Sequence, residues 1–273
     1  MSEDLTLISI PNFMPDYEEV PYGYSSGTKK RENLIAKLDE TSHGYCMYCY
    51  SRIRIDKKLY YHIEHGIEKA NDDNDKLRNC VMNMAIACPI CNNRFKKVCE
   101  KERIEFISGT EEYTKFFEGN CCAPNCRQMC SELIELRKKV NENVFGHIVF
   151  QPLSSNYPSN IHPSTKRPLH IQYDILLGKF IPSAMNLKSE SERDFLYDHI
   201  NYFHLNDLQY RTDELYNFCK DVIDNELTSF PKGRYNNYIV DLFIDKIIVL
   251  ELEEIYRICR LVYLLGLLSG RIV

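Results

Sequence analysis

Asn83-Met84-Ala85-Ile86-Ala87-Cys88-Pro89-Ile90-Cys91-Asn92 runs from a short apolar segment straight into a C-x2-C pair. A second pair, Cys46-Met47-Tyr48-Cys49, lies 38 residues upstream. Each pair fits a tight turn, so two thiolates from one turn can take adjacent corners of a tetrahedron. Two such knuckles make an all-cysteine shell with Zn–S distances of about 2.3 Å. Four ligands close that shell and leave no position for substrate. The sequence therefore predicts a structural zinc on Cys46, Cys49, Cys88 and Cys91, and such a metal contributes directly to folding. A redox C-x2-C of the thioredoxin kind needs a βαβ setting, and none is visible.

Between the pairs stands Leu59-Tyr60-Tyr61-His62-Ile63-Glu64-His65, a β-like run ending in a carboxylate and a histidine. A polar loop, Gly66 to Arg78, follows it. Residues 92–103 carry five Lys/Arg against two Glu, a local net charge of +3 where a phosphate backbone can dock. With Glu64-His65, Asn83, Cys88-x2-Cys91, Asn92 and Lys96 at these spacings, the chain resembles the HNH nuclease family. The resemblance implies a ββα-metal core: a strand to His65, a loop, a strand after Asn83, the zinc knuckle and a helix from Asn92. One departure concerns the loop, since Glu68 stands where a proline often follows the histidine by three residues.

The chemistry of phosphodiester cleavage suits these residue types. An imidazole with an ordinary pKa of about 6.5 can take a proton from water near neutral pH, which is the role expected of His65. Glu64 and Asn92 offer hard oxygen ligands that suit Mg2+ or Mn2+, and the resemblance implies that they hold the catalytic ion. It further implies that Lys96 faces the phosphate and that Asn83 ties the loop positioning His65. It also implies products with a 5′-phosphate and a 3′-hydroxyl. His62 shares a strand face with Glu64 by alternation and is read as a packed or exposed residue.

The 273 residues are 44% hydrophobic and 27% charged, the composition of a globular protein, with a formal net charge of -5. A whole-protein basic field for gripping nucleic acid is absent. No apolar run approaches the roughly 18 residues of a membrane span, and the acidic start does not read as a presequence. The expected setting is cytoplasmic and reducing, where cysteines more often hold metal than form disulfides. Of the 12 cysteines, Cys121, Cys122, Cys126 and Cys130 form a second cluster, read mainly as small buried hydrophobes.

The pattern along the chain predicts an α+β protein. Residues 1–30 read as an arm lying on other structure, followed by a short helix over Lys29–Leu38. Residues 1–110 hold the arm and the zinc-clamped core, and 111–160 a helical connector with a helix over Asn125–Val140 and a Pro-rich loop. The remainder, 161–273, is mainly helical, with a hairpin at His170–Asp174 and Lys179–Ile181. Helices are expected after Ser189 and from Asp207 to Ile223, and Tyr238 to Gly270 is strongly apolar.

His162-Pro163, the hairpin with Gly178, His199-Ile200 and Leu205-Asn206-x-Leu208-x-Tyr210-Arg211 follow in order after the knuckle. That layout is similar to the HNH subunit of the Septu anti-phage systems, the PtuB-like proteins, found also with some retrons. The resemblance implies work beside an ABC/SMC-like ATPase on a nucleic-acid substrate. The apolar stretch Ile247–Leu268 is read first as a core helix of this chain and second as a place for docking. Two other readings stand beside it. One is a stand-alone restriction-type HNH enzyme. The other is a zinc module that binds nucleic acid without cutting it.

Overall fold

The computed structural model describes residues 5–69, 75–119, 128–142, 146–149, 161–207 and 209–270. The arm contributes β1 (Leu7–Ser9), and α1 (Lys29–Ser42) follows it. The Thr28 hydroxyl caps α1 by accepting a hydrogen bond from the Arg31 amide at 3.2 Å. Leu34 and Leu38, four residues apart on one face, are buried. This helix runs one turn beyond its expected end, to His43, which closes it in the left-handed conformation.

The next segment builds two small hairpins. β2 (Arg54–Ile55) pairs with β3 (Lys58–Leu59). β4 (His62–His65) pairs antiparallel with β5 (Met84–Ala87), with Glu64 opposite Ala85 and His65 opposite Met84. The short α2 (Lys76–Asn79) lies between them. Small Ala85 and Ala87 let β5 sit buried along its whole length against α1.

Past the second knuckle the chain departs from the expected helix. Cys91–Phe95 forms a single π-type turn, in which the Lys96 amide donates to the Cys91 carbonyl at 2.9 Å. Cys99 then takes a φ of 53°, which a right-handed helix cannot include, and α3 (Glu100–Ser108) starts behind it. α4 (Glu111–Glu118) and α5 (Ser131–Val140) pack with α3. The expected start of α5 at Asn125 lies outside the described residues.

In the C-terminal half, β6 (Ile171–Asp174) and β7 (Lys179–Pro182) form the expected hairpin. β1 joins it antiparallel, giving a three-stranded sheet in the order β1-β6-β7. α6 (Glu190–Tyr202) and α7 (Gln209–Asp224) follow. The apolar stretch from Tyr238 resolves into α8 (Tyr238–Ile247) and α9 (Leu252–Leu268). α9 packs along α7, and the missing side chain at Gly266 makes room there for the Tyr216 ring.

Mixed helix and sheet is thus the fold class, and one buried apolar cluster joins the arm, the β4–β5 unit and the C-terminal helices. Polar links cross the same boundary. The Tyr45 hydroxyl donates to the Asp241 carboxylate at 2.9 Å, and the Arg52 amide to the Asn236 carbonyl at 3.0 Å. Among the described residues no helix is long and apolar enough to cross a membrane.

Candidate active site

The four knuckle thiols converge. The sulfur atoms of Cys46, Cys49, Cys88 and Cys91 all lie within 4.8 Å of one another, and Cys49 and Cys88 are 3.7 Å apart. Four sulfurs around a zinc at about 2.3 Å stand about 3.8 Å apart, so the cluster has the size a tetrahedral ion requires. Backbone geometry sets it up. The Cys46 amide donates to the Ser51 carbonyl at 2.8 Å, and the Cys91 amide approaches the Cys88 sulfur at 3.4 Å. The Met47 amide reaches the Ile86 carbonyl at 3.1 Å and ties the first knuckle to β5.

Without a cation, burial pushes the Cys46 thiol up, and the neighbouring thiols, Cys46 first, push up Cys91. Four thiolates cannot share this interior alone, and a divalent ion removes that penalty. Among the described residues no other group of three or more His, Cys, Asp or Glu ligand atoms comes as close together. The cluster can hold a structural metal such as zinc.

Beside the clamp, Glu64, His65, Asn92 and Lys96 line one cavity of about 250 Å³. β4 supplies the first two and the π-type turn the last two. The His65 ring is buried, and its Nε2 lies 3.1 Å from the Arg78 carbonyl. A carbonyl only accepts, so Nε2 carries the proton and Nδ1 keeps its lone pair. Burial, ahead of nearby cations, pushes the His65 pKa down to about 4, which leaves the ring neutral at pH 7. Its edge meets the Tyr24 ring, with centroids 4.8 Å apart at 71°.

Asn83 pins the loop behind His65. Its Oδ1 accepts from the Ile67 amide and its Nδ2 donates to the Ile67 carbonyl, both at 2.8 Å, while its own carbonyl accepts from the Gly66 amide at 2.7 Å. One buried side chain thereby satisfies both polar groups of Ile67.

Glu64 is buried, and its Oε2 accepts from the Tyr48 hydroxyl at 2.6 Å. Lys96 bonds to the Glu64 Oε1 and to the His65 carbonyl. The structure therefore sets the Lys96 ammonium on Glu64, and Lys96 lines the same cavity as His65. Burial raises the Glu64 pKa, and the Lys96 charge opposes that rise. Asn92 is half-buried, and its Nδ2 lies 3.1 Å from the His62 Nδ1 and 3.1 Å from the Asn93 Oδ1. With Nδ2 committed to these partners, the Oδ1 of Asn92 offers a hard oxygen donor next to Glu64.

The chain matches no protein-family model, no curated protein and no solved structure. What the site can do rests on its own geometry.

Several residues of that geometry were not singled out from the sequence. Tyr48 lies between the first two cysteines and clasps Glu64, and it stacks on Phe203 with centroids 4.7 Å apart. Glu68, visible only as a departure from a motif, accepts from the Arg103 Nε at 3.0 Å. Arg103 is itself buried and also donates to the Val98 and Lys96 carbonyls and, at 2.6 Å, to the Tyr202 hydroxyl. A buried arginine on a charged helix leaves no periodic signal, because its partners lie 35 and 99 residues away. Of the second cysteine cluster, Cys121, Cys122 and Cys126 lie outside the described residues. Cys130 is half-buried and disulfide-bonded, and its sulfur accepts from the Leu133 amide at the start of α5.

Proposed function

We propose that this chain is a metal-dependent HNH nuclease that hydrolyses phosphodiester bonds in nucleic acid. The observation that supports it best is the meeting of Glu64, a neutral His65, Asn92 and Lys96 on one cavity, with Asn83 holding the loop behind His65. A module that merely binds needs neither a free imidazole lone pair nor a carboxylate beside it.

In this reading the Nδ1 of His65 takes a proton from the attacking water, while the Arg78 carbonyl keeps the ring in the required tautomer. Glu64 and the amide oxygen of Asn92 would hold Mg2+ or Mn2+. The ion, when bound, supplies Lewis-acid stabilisation of the scissile phosphate and the departing 3′ oxygen. The Lys96 ammonium now sits on the Glu64 Oε1, so the ion competes with it for that carboxylate. Tyr48 fixes the second carboxylate oxygen, and the zinc clamp holds β4 against the turn that carries Asn92.

The wider role is that of an effector acting with an ABC/SMC-like ATPase in anti-phage defence. A net charge of -5 and a small cationic site suit a subunit whose partner brings the substrate. Plasmid DNA and tRNA are to be incubated with the zinc-loaded chain and Mg2+ or Mn2+, with and without the ATPase. Wild type cuts, and His65→Ala loses about a hundredfold or more of the rate. Equal cutting by both proteins overturns the catalytic reading, and separate elution of chain and ATPase on size exclusion counts against a stable complex.

A further inference from the structure

Tyr24, from the N-terminal arm, lines a cavity of about 800 Å³, larger than the one that holds His65. Lys69 lines the smaller cavity, and its ammonium donates to the Tyr24 hydroxyl at 2.9 Å. The Tyr24 ring also meets the His65 ring, with centroids 4.8 Å apart. The two cavities therefore adjoin through a Tyr24–Lys69 hydrogen bond and a Tyr24–His65 ring contact.

Cations gather around this one phenol. The Arg31 guanidinium, the Lys69 ammonium and the Arg78 guanidinium lie 5.2, 5.0 and 5.5 Å from the ring centroid. Arg31 is fixed there by its bond to the Tyr24 carbonyl at 2.6 Å, and Asp75 pairs with Arg78 at 3.1 Å. Lys30, exposed, and Lys29, paired with Glu32 at 3.2 Å, also line the larger cavity. Lys76 is committed elsewhere, donating to carbonyls at the end of α4. On a chain of net charge -5, such a cluster of like charges costs stability unless an anion joins it. Tyr22 and Tyr24 give the same cavity aromatic walls.

Phosphates are attracted by such cations, and unstacked bases are held by aromatic faces whatever their identity. A cavity of this volume accommodates a nucleotide. We propose that Tyr24, Lys30, Arg31 and Lys69 form a single-strand nucleic-acid subsite that receives the nucleotide flanking the scissile phosphate and leads the strand to His65. A duplex keeps its bases stacked and cannot offer one to this recess. The inference rests on the nuclease reading for the word "scissile", while the binding it asserts is measured independently.

The test is fluorescence anisotropy with labelled oligo(dT), oligo(U) and a short duplex, using the zinc-loaded full chain without added divalent ion, across a salt series. Single strands bind more tightly than the duplex. Lys30→Ala and Lys69→Ala each weaken binding several-fold and flatten the plot of log K against log salt by about 0.7, one phosphate contact apiece. Tyr24→Leu weakens binding about tenfold with the salt slope unchanged. A merely structural role for the lysines does not alter that slope.

The subsite is overturned if the wild type does not bind single strands at low salt, if the duplex binds equally well, or if the lysine variants keep wild-type affinity and slope. Cleavage with Mg2+ is scored on the same proteins. Cutting by wild type with unchanged binding in the variants rejects the subsite alone. Weakened binding in the variants with no cutting by any protein rejects the catalytic reading alone.

Discussion

The Lys96 ammonium contacts the Glu64 carboxylate inside the protein, where the two side chains are only 7% and 1% exposed. Removing one partner of a buried pair leaves the other charge without compensation, at a cost of about 3–5 kcal/mol. Lys96→Met is therefore expected to lower the unfolding free energy by about 3 kcal/mol in urea without divalent ions, and Glu64→Gln added to it restores most of the loss. Magnesium should then raise the midpoint of Lys96→Met more than that of the wild type, because Glu64 has lost its internal cation. A Lys96→Met protein as stable as wild type refutes the pairing.

The Arg103–Glu68 pair joins α3 to the loop after His65, and Glu68 lines the same cavity as Glu64 and His65. Arg103→Met removes the closer of two cations on Glu68, leaving Lys96 at 4.0 Å, and takes a donor from the Lys96 and Val98 carbonyls and the Tyr202 hydroxyl. A loss of about 3 kcal/mol or more is expected by denaturant unfolding. Arg103→Lys recovers only part of it, since an ammonium cannot reproduce the planar fork that serves four partners. Equal stability of the lysine variant and the wild type would show that charge alone holds this junction.

Cys88→Ser replaces one corner of the thiol cluster with a hydroxyl. Zinc content should drop from about one per chain, and the thermal midpoint should fall, because metal binding and folding are coupled in such sites. Metal analysis of the purified protein and a melting curve read the two effects. Unchanged zinc in a fully soluble variant disproves the four-cysteine site.

The cysteine spacings and the Asn83 position were legible because both are short-range patterns in which a turn or a loop fixes the geometry. The sequence places Asn83 as the residue that ties the loop after His65, and three of its hydrogen bonds run to Gly66 and Ile67. The resemblance implies a helix from Asn92, and the structure has a π-type turn there, with α3 set apart behind it. Residues 92–98 carry helical composition, yet the second knuckle tightens the chain into a π-type turn, and Cys99 with positive φ ends it. That Lys96 turns onto Glu64 was illegible for a related reason. Its four-residue distance from Asn92 says nothing of which way the turn aims it, and Glu64 and the His65 carbonyl attract it from 32 and 31 residues away. The pairing of β1 with β6 was hidden too, since three residues of arm carry no alternation long enough to read.

His199 offers a test of the C-terminal half that is independent of the metal sites. The ring is fully buried, its Nδ1 accepts from the Val149 amide at 2.9 Å, and its Nε2 has no partner among the described residues. Burial pushes its pKa down to about 3. The folded protein thus keeps the ring neutral, while the unfolded chain takes up a proton below its ordinary value of about 6.5. More protons bound in the unfolded state means that stability falls as pH drops, from about 6.5 down to about 3. Between pH 7 and pH 5 this one group removes about 2 kcal/mol. His199→Asn keeps an acceptor for Val149 and cannot titrate, so its stability should change less over that interval, by about that amount. Urea unfolding of both proteins at the two pH values measures the difference, and parallel losses would show that His199 is not held neutral by the fold.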